Sequence, residues 1–404
     1  MATGRRLLRG VLAATALVWA AVGLLLGLGI VLPTLVPLFP LSLLMDQLAM
    51  LVGGFSLWLT VFALLGLGLA ALARRAGFRR SSLVAAVLGV VTVALSLVPV
   101  VQGWRTASQE GVPLSLSQYF AFPSISSPET VTYARPEGEE LKLDVRRPPD
   151  QGSNAGPARR PAVVTVHGGG GAFGGRSEDA LWSEWLAKKG YVVFSIDYRL
   201  ADYGPGYVPR WQDATGDVKC AVGWVKENAD RYGVDPDRIA LMGRSAGGHL
   251  ALLAAYTEGD PRLPPSCGVR DTGVAAVAAF YSLTDQMRFD EMAMQSPWWR
   301  PNLMSSADPT GGTPESEPER RLGSPTTHVD PGDPPTFLTH GGEDQWSPPE
   351  QSELLENRLE ESGVAHRLLE LPWARHAFDS AWGSWGQQIV GHELGEFLEK
   401  ELPG

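Results

Sequence analysis

Three long apolar stretches occupy the first quarter of the chain. They contain no charged side chain and extend over Gly10–Leu32, Gln47–Ala73 and Ser81–Trp104. A helix rises about 1.5 Å per residue, so about 20 residues cross the hydrocarbon core of a bilayer. Each stretch exceeds that length, and the pattern predicts three transmembrane helices. Three prolines in Pro33–Pro40 interrupt the helical pattern between the first two stretches and predict a short turn.

A cleaved signal peptide is the alternative for the first stretch, because Arg5, Arg6 and Arg9 precede it. The apolar segment of a signal peptide has about 7–15 residues, whereas this stretch continues beyond that length. It also lacks a clear small-residue cleavage site followed by polar sequence. The pattern therefore favours a membrane anchor.

Arginines distinguish the two sides of the predicted anchor. Seven of them flank the predicted cytoplasmic ends of the stretches, at positions 5, 6, 9, 74, 75, 79 and 80. The first three precede the first helix, and the other four lie between the second and third. The positive-inside rule assigns both groups to the cytoplasm. An odd number of spans then predicts an extracytoplasmic location for everything after Trp104.

Short apolar runs separated by helical patterns follow from residue 131 onward. Two runs joined by a polar turn, Val131–Ala134 and Leu141–Val145, predict a hairpin. The later runs predict strands at Pro161–His167, Tyr191–Ile196, Ile239–Met242, Val274–Tyr281, Pro335–Thr339 and Ala365–Leu371. Helical patterns lie at Glu178–Lys189, Trp211–Arg231, Ala246–Glu258, Pro349–Ser362 and Trp382–Glu399. This alternation predicts an α/β fold with a doubly wound, mostly parallel sheet.

The patterns divide the chain into three parts. Residues 1–105 form the predicted three-span anchor, residues 106–130 a linker rich in Ser, Pro and Gln, and residues 131–404 the catalytic domain. Within that domain, 284–325 is polar, lacks a regular pattern and contains Trp298 and Trp299. Its length between two strands predicts a lid or cap insertion.

The distribution of charged residues limits the kinds of molecule that this protein can bind. Residues 1–105 carry a net charge of +7, whereas residues 106–404 carry −17. Phosphate contacts need clustered Lys and Arg, so the acidic part excludes a nucleic-acid partner. The two cysteines, Cys220 and Cys267, leave open both a buried thiol and an exported disulfide, and they are too few for a disulfide scaffold.

A possible nucleophile lies at the end of the strand Ile239–Met242. Gly243–Gly247 reads Gly-Arg-Ser-Ala-Gly and leads directly into a helical pattern. The glycines permit a sharp strand-to-helix turn that exposes the Ser245 hydroxyl at the helix N-terminus. The dipole of that helix favours the negative charge that develops during reaction. The alternative is a glycine-rich turn with a capping serine.

A glycine run follows another strand. In His167–Gly171, four glycines allow backbone N–H groups to converge and to form an oxyanion hole together with the amide of Ala246. A phosphate-binding loop is the alternative, but no Gly-Lys-Ser/Thr follows and the spacing does not fit a dinucleotide fingerprint. We expect His167 itself to orient the loop.

A serine nucleophile needs a base and an acid that orients it. In this motif class the order along the chain is Ser, then Asp or Glu, then His. Of seven histidines, only His376 lies on a loop directly after a late strand and downstream of a suitable acid. The acid is assigned to Asp344, on the loop after the preceding strand. Asp285 is the main rival, and Glu343 is a weaker one.

These motifs resemble those of the α/β-hydrolase superfamily, in particular its esterase branch with a His-Gly-Gly-Gly loop. That branch includes hormone-sensitive-lipase-like and feruloyl or acetyl-xylan esterase-like proteins. The resemblance covers roughly residues 129–403 and is carried by His167–Gly171, Gly243–Gly247, His340–Asp344 and His376–Phe378. It implies Ser245 as nucleophile, Asp344 and His376 as its partners, and Gly169, Gly170 and Ala246 as oxyanion donors. Asp197-Tyr198-Arg199 also occurs in that family, where it is structural.

Two features depart from the family. Gly171 stands where the family usually has a bulky residue, and the three-span anchor is not part of the core family. Both concern the substrate rather than the chemistry.

The sequence therefore predicts a membrane-anchored serine hydrolase that cleaves carboxylic esters through an acyl-enzyme. The expected substrate is a small-molecule or lipid-like ester, and neither a cofactor nor a metal is expected. A peptidase or amidase with the same three residues and a catalytically inactive binding module are the alternatives. The acyl chain, the alcohol and the oligomeric state stay open.

Overall fold

A computed structural model describes residues 2–31, 49–50, 52–149, 159–201, 211–295 and 317–403. The chain divides into two compact units. One contains Met1–Ala121 with Leu371–Ile389, and the other contains Phe122–Glu370 with Val390–Gly404. The predicted turn at Pro33–Pro40 and the pair Trp298 and Trp299 lie outside the described residues.

The first unit is built on long apolar helices. They are α1 (Ala2–Val31), α2 (Ser56–Arg75) and α3 (Arg79–Glu110). Within the described residues, these three are long and apolar enough to cross a membrane, as the sequence predicts. Each begins or ends differently from the prediction, since α1 starts nearer the N-terminus and α3 continues six residues past Trp104.

Small residues form the contacts among these helices. Ala13, Ala16 and Ala20 of α1 are buried together with alanines of α2 and α3. In addition, Trp19 stacks on Phe62 of α2 with ring centroids 4.2 Å apart. Small side chains let helix backbones approach closely, which is how helices associate when lipid surrounds them.

A short C-terminal segment belongs to the same unit as these helices. It comprises residues 371–389, including a 3₁₀ turn (Phe378–Ser380). Its hydrogen bonds reach α4 (Leu116–Tyr119), which lies inside the predicted linker. The Gln388 side chain accepts a hydrogen bond from Ser115 N at 2.7 Å and donates to Ser115 O at 3.0 Å.

The described residues also form an eight-stranded sheet. The strands are β1 (Glu129–Ala134), β2 (Leu141–Arg146), β3 (Arg160–Val166), β4 (Val192–Ile196), β5 (Val234–Arg244), β6 (Ala276–Phe280), β7 (Thr336–Gly341) and β8 (His366–Leu371). Their order is β1-β2-β4-β3-β5-β6-β7-β8. The pairs β1–β2 and β2–β4 are antiparallel, whereas β4–β3, β3–β5, β5–β6 and β6–β7 are parallel. The predicted hairpin and the mostly parallel sheet are confirmed.

Helices connect the strands of this sheet, and the last of them follows β8. They are α5 (Ala180–Lys188), α6 (Trp211–Glu227), α7 (Ala229–Tyr232), α8 (Ala246–Tyr256), α9 (Gln286–Gln295), α10 (Glu317–Leu322), α11 (Glu350–Ser362) and α12 (Trp385–Glu401). The central strands are buried almost completely, β4 and β6 along their entire length. This explains their continuous apolar sequences, because a parallel strand is covered on both faces.

The predicted insertion 284–325 is more regular than its sequence indicates. Its described parts contain α9 and α10, and a 3₁₀ turn (Pro325–Thr327) begins at its end. Both α-helices are short and polar, which leaves little apolar periodicity to detect. Residues 296–316 lie outside the description, and a role as a lid stays a prediction.

The cysteine alternatives are resolved. Cys220 of α6 and Cys267 form a disulfide with Cα atoms 5.5 Å apart. The bond joins a helix to the loop before β6, across 47 residues of sequence.

Candidate active site

Ser245 occupies a strained turn between β5 and α8. Its backbone has φ 53° and ψ −122°, a region that residues with a side chain rarely adopt. Backbone hydrogen bonds hold it there: Ser245 N donates to Phe280 O at 2.9 Å, and Ser245 O accepts from Gly248 N at 3.0 Å and from His249 N at 3.1 Å. Such strain persists only where the surroundings impose it, and it concentrates at functional sites.

Glycine is required at this turn because the backbone is crowded. A Cβ added to Gly247 would lie 2.2 Å from Val166 O and 2.3 Å from His167 O. The first turn of α8 therefore packs directly on the end of β3. A larger residue would separate the two and move Ser245.

The glycine run lies beside this turn. A Cβ added to Gly168 would lie 3.3 Å from the Ser245 Cβ, so the loop and the turn are in contact. Gly169 has φ +110°, and a Cβ there would come within 2.1 Å of Phe173 O. Ala246 directly follows Ser245 at the N-terminus of α8. The main-chain N–H groups expected to bind an oxyanion thus belong to segments that meet at Ser245.

His167 and the Asp-Tyr-Arg motif support the glycine run. The His167 ring is buried and stacked on Tyr198 with centroids 4.3 Å apart. The Tyr198 hydroxyl donates to His167 O at 3.0 Å, and burial raises its pKa well above the usual value. Arg199 forms a buried ion pair with Asp217, with Nε to Oδ2 at 2.9 Å. These contacts agree with the structural roles expected of both motifs.

Asp344 is buried on the loop after β7. It is 4% exposed, and its Oδ1 accepts hydrogen bonds from Trp346 N at 2.7 Å and Ser347 N at 2.9 Å. Two backbone donors fix the orientation of the carboxylate. Backbone hydrogen bonds also connect the strand ends, since Tyr281 N donates to Thr339 O at 2.7 Å. Asp344 therefore follows a strand two places from β5, at the sheet edge where β5 ends.

The rival acid has a structural role at a helix start. Asp285 Oδ1 accepts a hydrogen bond from Arg288 N at 3.0 Å, which caps α9. Its Oδ2 accepts from Thr326 Oγ1 at 3.1 Å. Both oxygens of Asp285 are thus engaged in local structure. Glu343, next to Asp344, also has an interaction partner.

His376 is half-buried on the loop after β8 and belongs to the unit that contains the apolar helices. Ala377, which follows it, adopts a left-handed backbone with φ 54°. Ala374 N donates to Leu371 O at 2.9 Å, and Ser380 N donates to Ala377 O at 3.0 Å. These two turns on either side of His376 restrict the loop. The positive φ of Ala377 thus lies directly after the predicted base.

The remaining histidines differ in their burial and in the groups that they contact. His340 is buried, with Nε2 2.8 Å from Ser347 O and 3.4 Å from Asp344 Oδ2. Burial lowers the pKa of His249 to about 4, because a charged imidazole would be poorly solvated inside the domain. His328 and His366 contact carbonyl oxygens. His392 groups with Glu393 and Glu396 on an accessible face of α12, with ligand atoms within 4.8 Å of one another.

The structure brings part of the predicted site together. Ser245, the glycine run and Ala246 meet at one turn, and Asp344 follows a strand at the same sheet edge. His376 lies in the other unit. A further strained residue, Tyr281, lies directly after β6 with φ 41°, and sequence reasoning did not single it out. Only its position after a buried strand could have drawn attention to it.

Comparison with known proteins agrees with this geometry. A family model described as BD-FAE matches residues 143–359, which is more than half of the chain. Esterase LipQ of Mycobacterium tuberculosis is 32% identical, and the match covers 73% of this chain and 69% of LipQ. LipM of the same organism, a probable carboxylic ester hydrolase, is 36% identical over 60% of this chain and 54% of its own length.

Solved structures show the same fold. Thermogutta terrifontis esterase 2, phosphonylated by sarin, aligns with a TM-score of 0.56 and 26% identity. That alignment covers 70% of this chain and 98% of the esterase. The chain therefore belongs to the BD-FAE family of the α/β-hydrolase superfamily.

Proposed function

We propose that this protein is a membrane-anchored serine hydrolase that cleaves carboxylic esters through an acyl-enzyme intermediate. The observation that carries the proposal is the strained backbone of Ser245, with φ 53°, at a strand-to-helix turn against the glycine run. Relatives and structural neighbours named as esterases support the same chemistry.

In the proposed reaction, Ser245 Oγ attacks the ester carbonyl carbon while His376 takes the hydroxyl proton. Asp344 holds the imidazole in the productive orientation and stabilises its charged form. The N–H groups of Gly169, Gly170 and Ala246 bind the negatively charged oxygen of the tetrahedral intermediate. His376 then donates the proton to the leaving alcohol. Water, activated by the same histidine, releases the acid and restores Ser245.

Labelling with a fluorophosphonate tests the nucleophile. The probe forms a phosphorus–oxygen bond with an activated serine and releases fluoride. We expect labelling of the full-length protein at Ser245 and none in Ser245→Ala or in heat-denatured protein. Labelling that persists in Ser245→Ala would contradict the mechanism, and an unlabelled parent would favour an inactive binding module.

A matched pair of substrates tests the bond that is cleaved. We expect hydrolysis of p-nitrophenyl acetate and little hydrolysis of p-nitroacetanilide, which presents the same acyl group as an amide. Comparable rates on both would favour a peptidase or amidase.

The proposed location is a cell membrane, with the catalytic domain outside the cytoplasm. The three apolar helices and the arginines at their ends support this orientation. The disulfide between Cys220 and Cys267 agrees with it, because such bonds persist in oxidising compartments. A reporter fused after Trp104 should behave as exported, and one fused at Gly77 as cytoplasmic. The opposite result would overturn the orientation.

A further inference from the structure

Arg244 connects the turn at Ser245 to the stretch of chain that follows the glycine run. It is the last residue of β5 and directly precedes Ser245. Its Nε donates to Asp179 Oδ1 at 2.7 Å, and its Nη2 contacts the same oxygen. The two side chains are only 12% and 4% exposed. Charge-assisted hydrogen bonds of this kind are short and strong, so the pair can fix the distance between the segments that carry it.

Asp179 ends the stretch between the glycine run and α5. It directly precedes α5, and its backbone O accepts a hydrogen bond from Ser183 N at 2.8 Å in the first turn of that helix. At the other end of the stretch is Gly174, with φ +102°. A Cβ there would lie 2.6 Å from His167 Nδ1 and 2.9 Å from Gly168 O. The stretch therefore packs against the start of the glycine run.

The backbone of Arg244 contacts the glycine run itself. A Cβ added to Gly168 would lie 3.0 Å from Arg244 O and 3.3 Å from the Ser245 Cβ. The regular pairing of β3 with β5 ends one residue earlier, at Val166 and Gly243. Beyond that last pair, Arg244 contacts the glycine run through its main chain and the stretch after it through its side chain.

Two segments supply the N–H groups of the proposed oxyanion hole. Gly169 and Gly170 belong to the glycine run, whereas Ala246 directly follows Ser245. Such donors are effective when they lie about 2.7–3.1 Å from the developing oxyanion. A small shift of one segment relative to the other therefore weakens binding of the transition state more than binding of the ester.

We propose that Arg244 is a positioning residue for the oxyanion hole, and that its ion pair with Asp179 fixes the N–H of Ala246 relative to those of Gly169 and Gly170. The inference rests on the proposed function, because it takes these three groups as the donors that stabilise the tetrahedral intermediate. Arg244 acts through these donors and not on the substrate.

Substitutions in the full-length protein test the pair. Arg244→Met keeps the length of the side chain but removes its charge and its donors, and Asp179→Asn removes the charge of the acceptor. Arg244→Lys keeps the charge but cannot bind one carboxylate through two nitrogens. The matched control is Arg238→Met, because Arg238 lies six residues earlier in β5 and its Nε donates to Asp235 Oδ2 at 2.9 Å. At 3.3 Å per residue, the control is about 20 Å from Arg244.

Two quantities are measured for each variant. The first is kcat and KM for p-nitrophenyl acetate, with the concentration of active sites taken from titration with a fluorophosphonate, so that unfolded protein is not counted. The second is the inhibition constant of octyl trifluoromethyl ketone. Ser245 Oγ adds to the ketone carbon, the proton passes to His376, and the ketone oxygen becomes an oxyanion. The adduct therefore needs the same N–H donors as the tetrahedral intermediate.

Loss of an oxyanion donor costs about 10²–10³ in rate, and displacement of a donor should cost less, about 10–10² in kcat for Arg244→Met and for Asp179→Asn. We expect KM to change little, and the inhibition constant of the ketone to rise by the same factor as kcat/KM falls. Arg244→Lys should recover part of the loss. Arg238→Met should change neither quantity.

The double variant Arg244→Met/Asp179→Asn completes the test. It leaves no unpaired charge in the buried site, so it remains available should a single variant not fold. Because the two residues act through one contact, its loss should be little greater than that of either single variant. Additive losses, an unchanged inhibition constant for the ketone, or an equal loss in Arg238→Met would each overturn the inference. Failure of the proposed function would appear instead as a parent protein that neither hydrolyses the acetate ester nor reacts with the fluorophosphonate.

Discussion

Ser245 and His376 lie in loops that are held by different kinds of structure. At Ser245 the support is the sheet: its N–H donates to Phe280 O of β6, and Gly247 packs on the end of β3. These are main-chain contacts among strands that are almost fully buried. The geometry of the nucleophile therefore depends on backbone packing and on small residues, and little on particular side chains.

The loop of His376 has its support in the unit of apolar helices. The Trp385 ring lies edge-on to Tyr119 with centroids 5.1 Å apart, and a Cβ added to Gly103 of α3 would lie 2.8 Å from Trp385 Cδ1. The Tyr119 hydroxyl in turn donates to Gly54 O at 2.7 Å. Side chains and the apolar helices therefore support the segment of His376, whereas strands support the turn at Ser245.

The difference teaches that the two proposed catalytic loops depend on different parts of the molecule. His376 follows β8 of the same sheet as Ser245, yet its segment belongs to the unit of the apolar helices. Conditions that disturb those helices should affect the base before the nucleophile.

The largest expected effect is the loss of kcat when Ser245 or His376 is replaced. Ser245→Ala and His376→Ala should each lower kcat by about 10⁴–10⁶, and the double variant should be little worse than either, because the two residues act as a unit. Single-turnover and steady-state rates with p-nitrophenyl acetate measure this. Losses that add up in the double variant would mean that the two residues act independently.

The acid assignment gives the next effect. Asp344→Asn should lower kcat by about 10⁴, because the imidazole is then held in the wrong tautomer. Asp285→Asn serves as the control and should cost stability at the start of α9 rather than activity. Near-normal activity in Asp344→Asn together with an inactive Asp285→Asn would reverse the assignment.

Variants in the glycine run beside Ser245 test whether its backbone donors limit kcat. Gly169→Ala should lower kcat by about 10²–10³, the usual effect of losing an oxyanion donor, because its Cβ would displace the loop at Phe173 O. Gly171→Ala is the matched control, since a Cβ there meets no atom within 4 Å although φ is also positive. Equal losses in the two variants would mean that backbone strain, and not donor placement, limits the rate.

The smallest expected effect on kcat comes from replacing the glutamines that support the two loops. Gln388→Leu leaves Ser115 N and Gly383 O without their present partners, and should lower kcat about tenfold by loosening the His376 segment. Gln351→Leu removes a comparable amide, which binds Thr284 N and Asp285 N beside β6. It should lower the unfolding free energy by a similar amount, about 1–3 kcal/mol, with less effect on kcat.

Both kcat and the unfolding free energy are measured in the two glutamine variants, and the loss of kcat at equal stability is compared. If Gln351→Leu loses more activity than Gln388→Leu at equal stability, the support of the His376 segment matters less than we infer. That result would also revive Asp285 as the acid.

The strongest features could be predicted because they are local in sequence. An apolar strand, Gly-x-Ser-x-Gly and a helix follow one another without a gap, so the turn at Ser245 needs no distant partner for its recognition. The three apolar stretches are similar, since length and composition alone decide whether a helix can span a bilayer. The mostly parallel sheet follows from the alternation of buried strands and helices.

Only the tertiary structure decided which distant segments meet. Ser115 and Gln388 are 273 residues apart, and the pairing of Cys220 with Cys267 leaves no local signal. The short helices α9 and α10 are polar on most sides, so their patterns are weak. Sequence patterns record the burial of each position but not the identity of its neighbours. For that reason the residues of the proposed site could be named from the sequence, while the grouping of His376 with the apolar helices came from the fold.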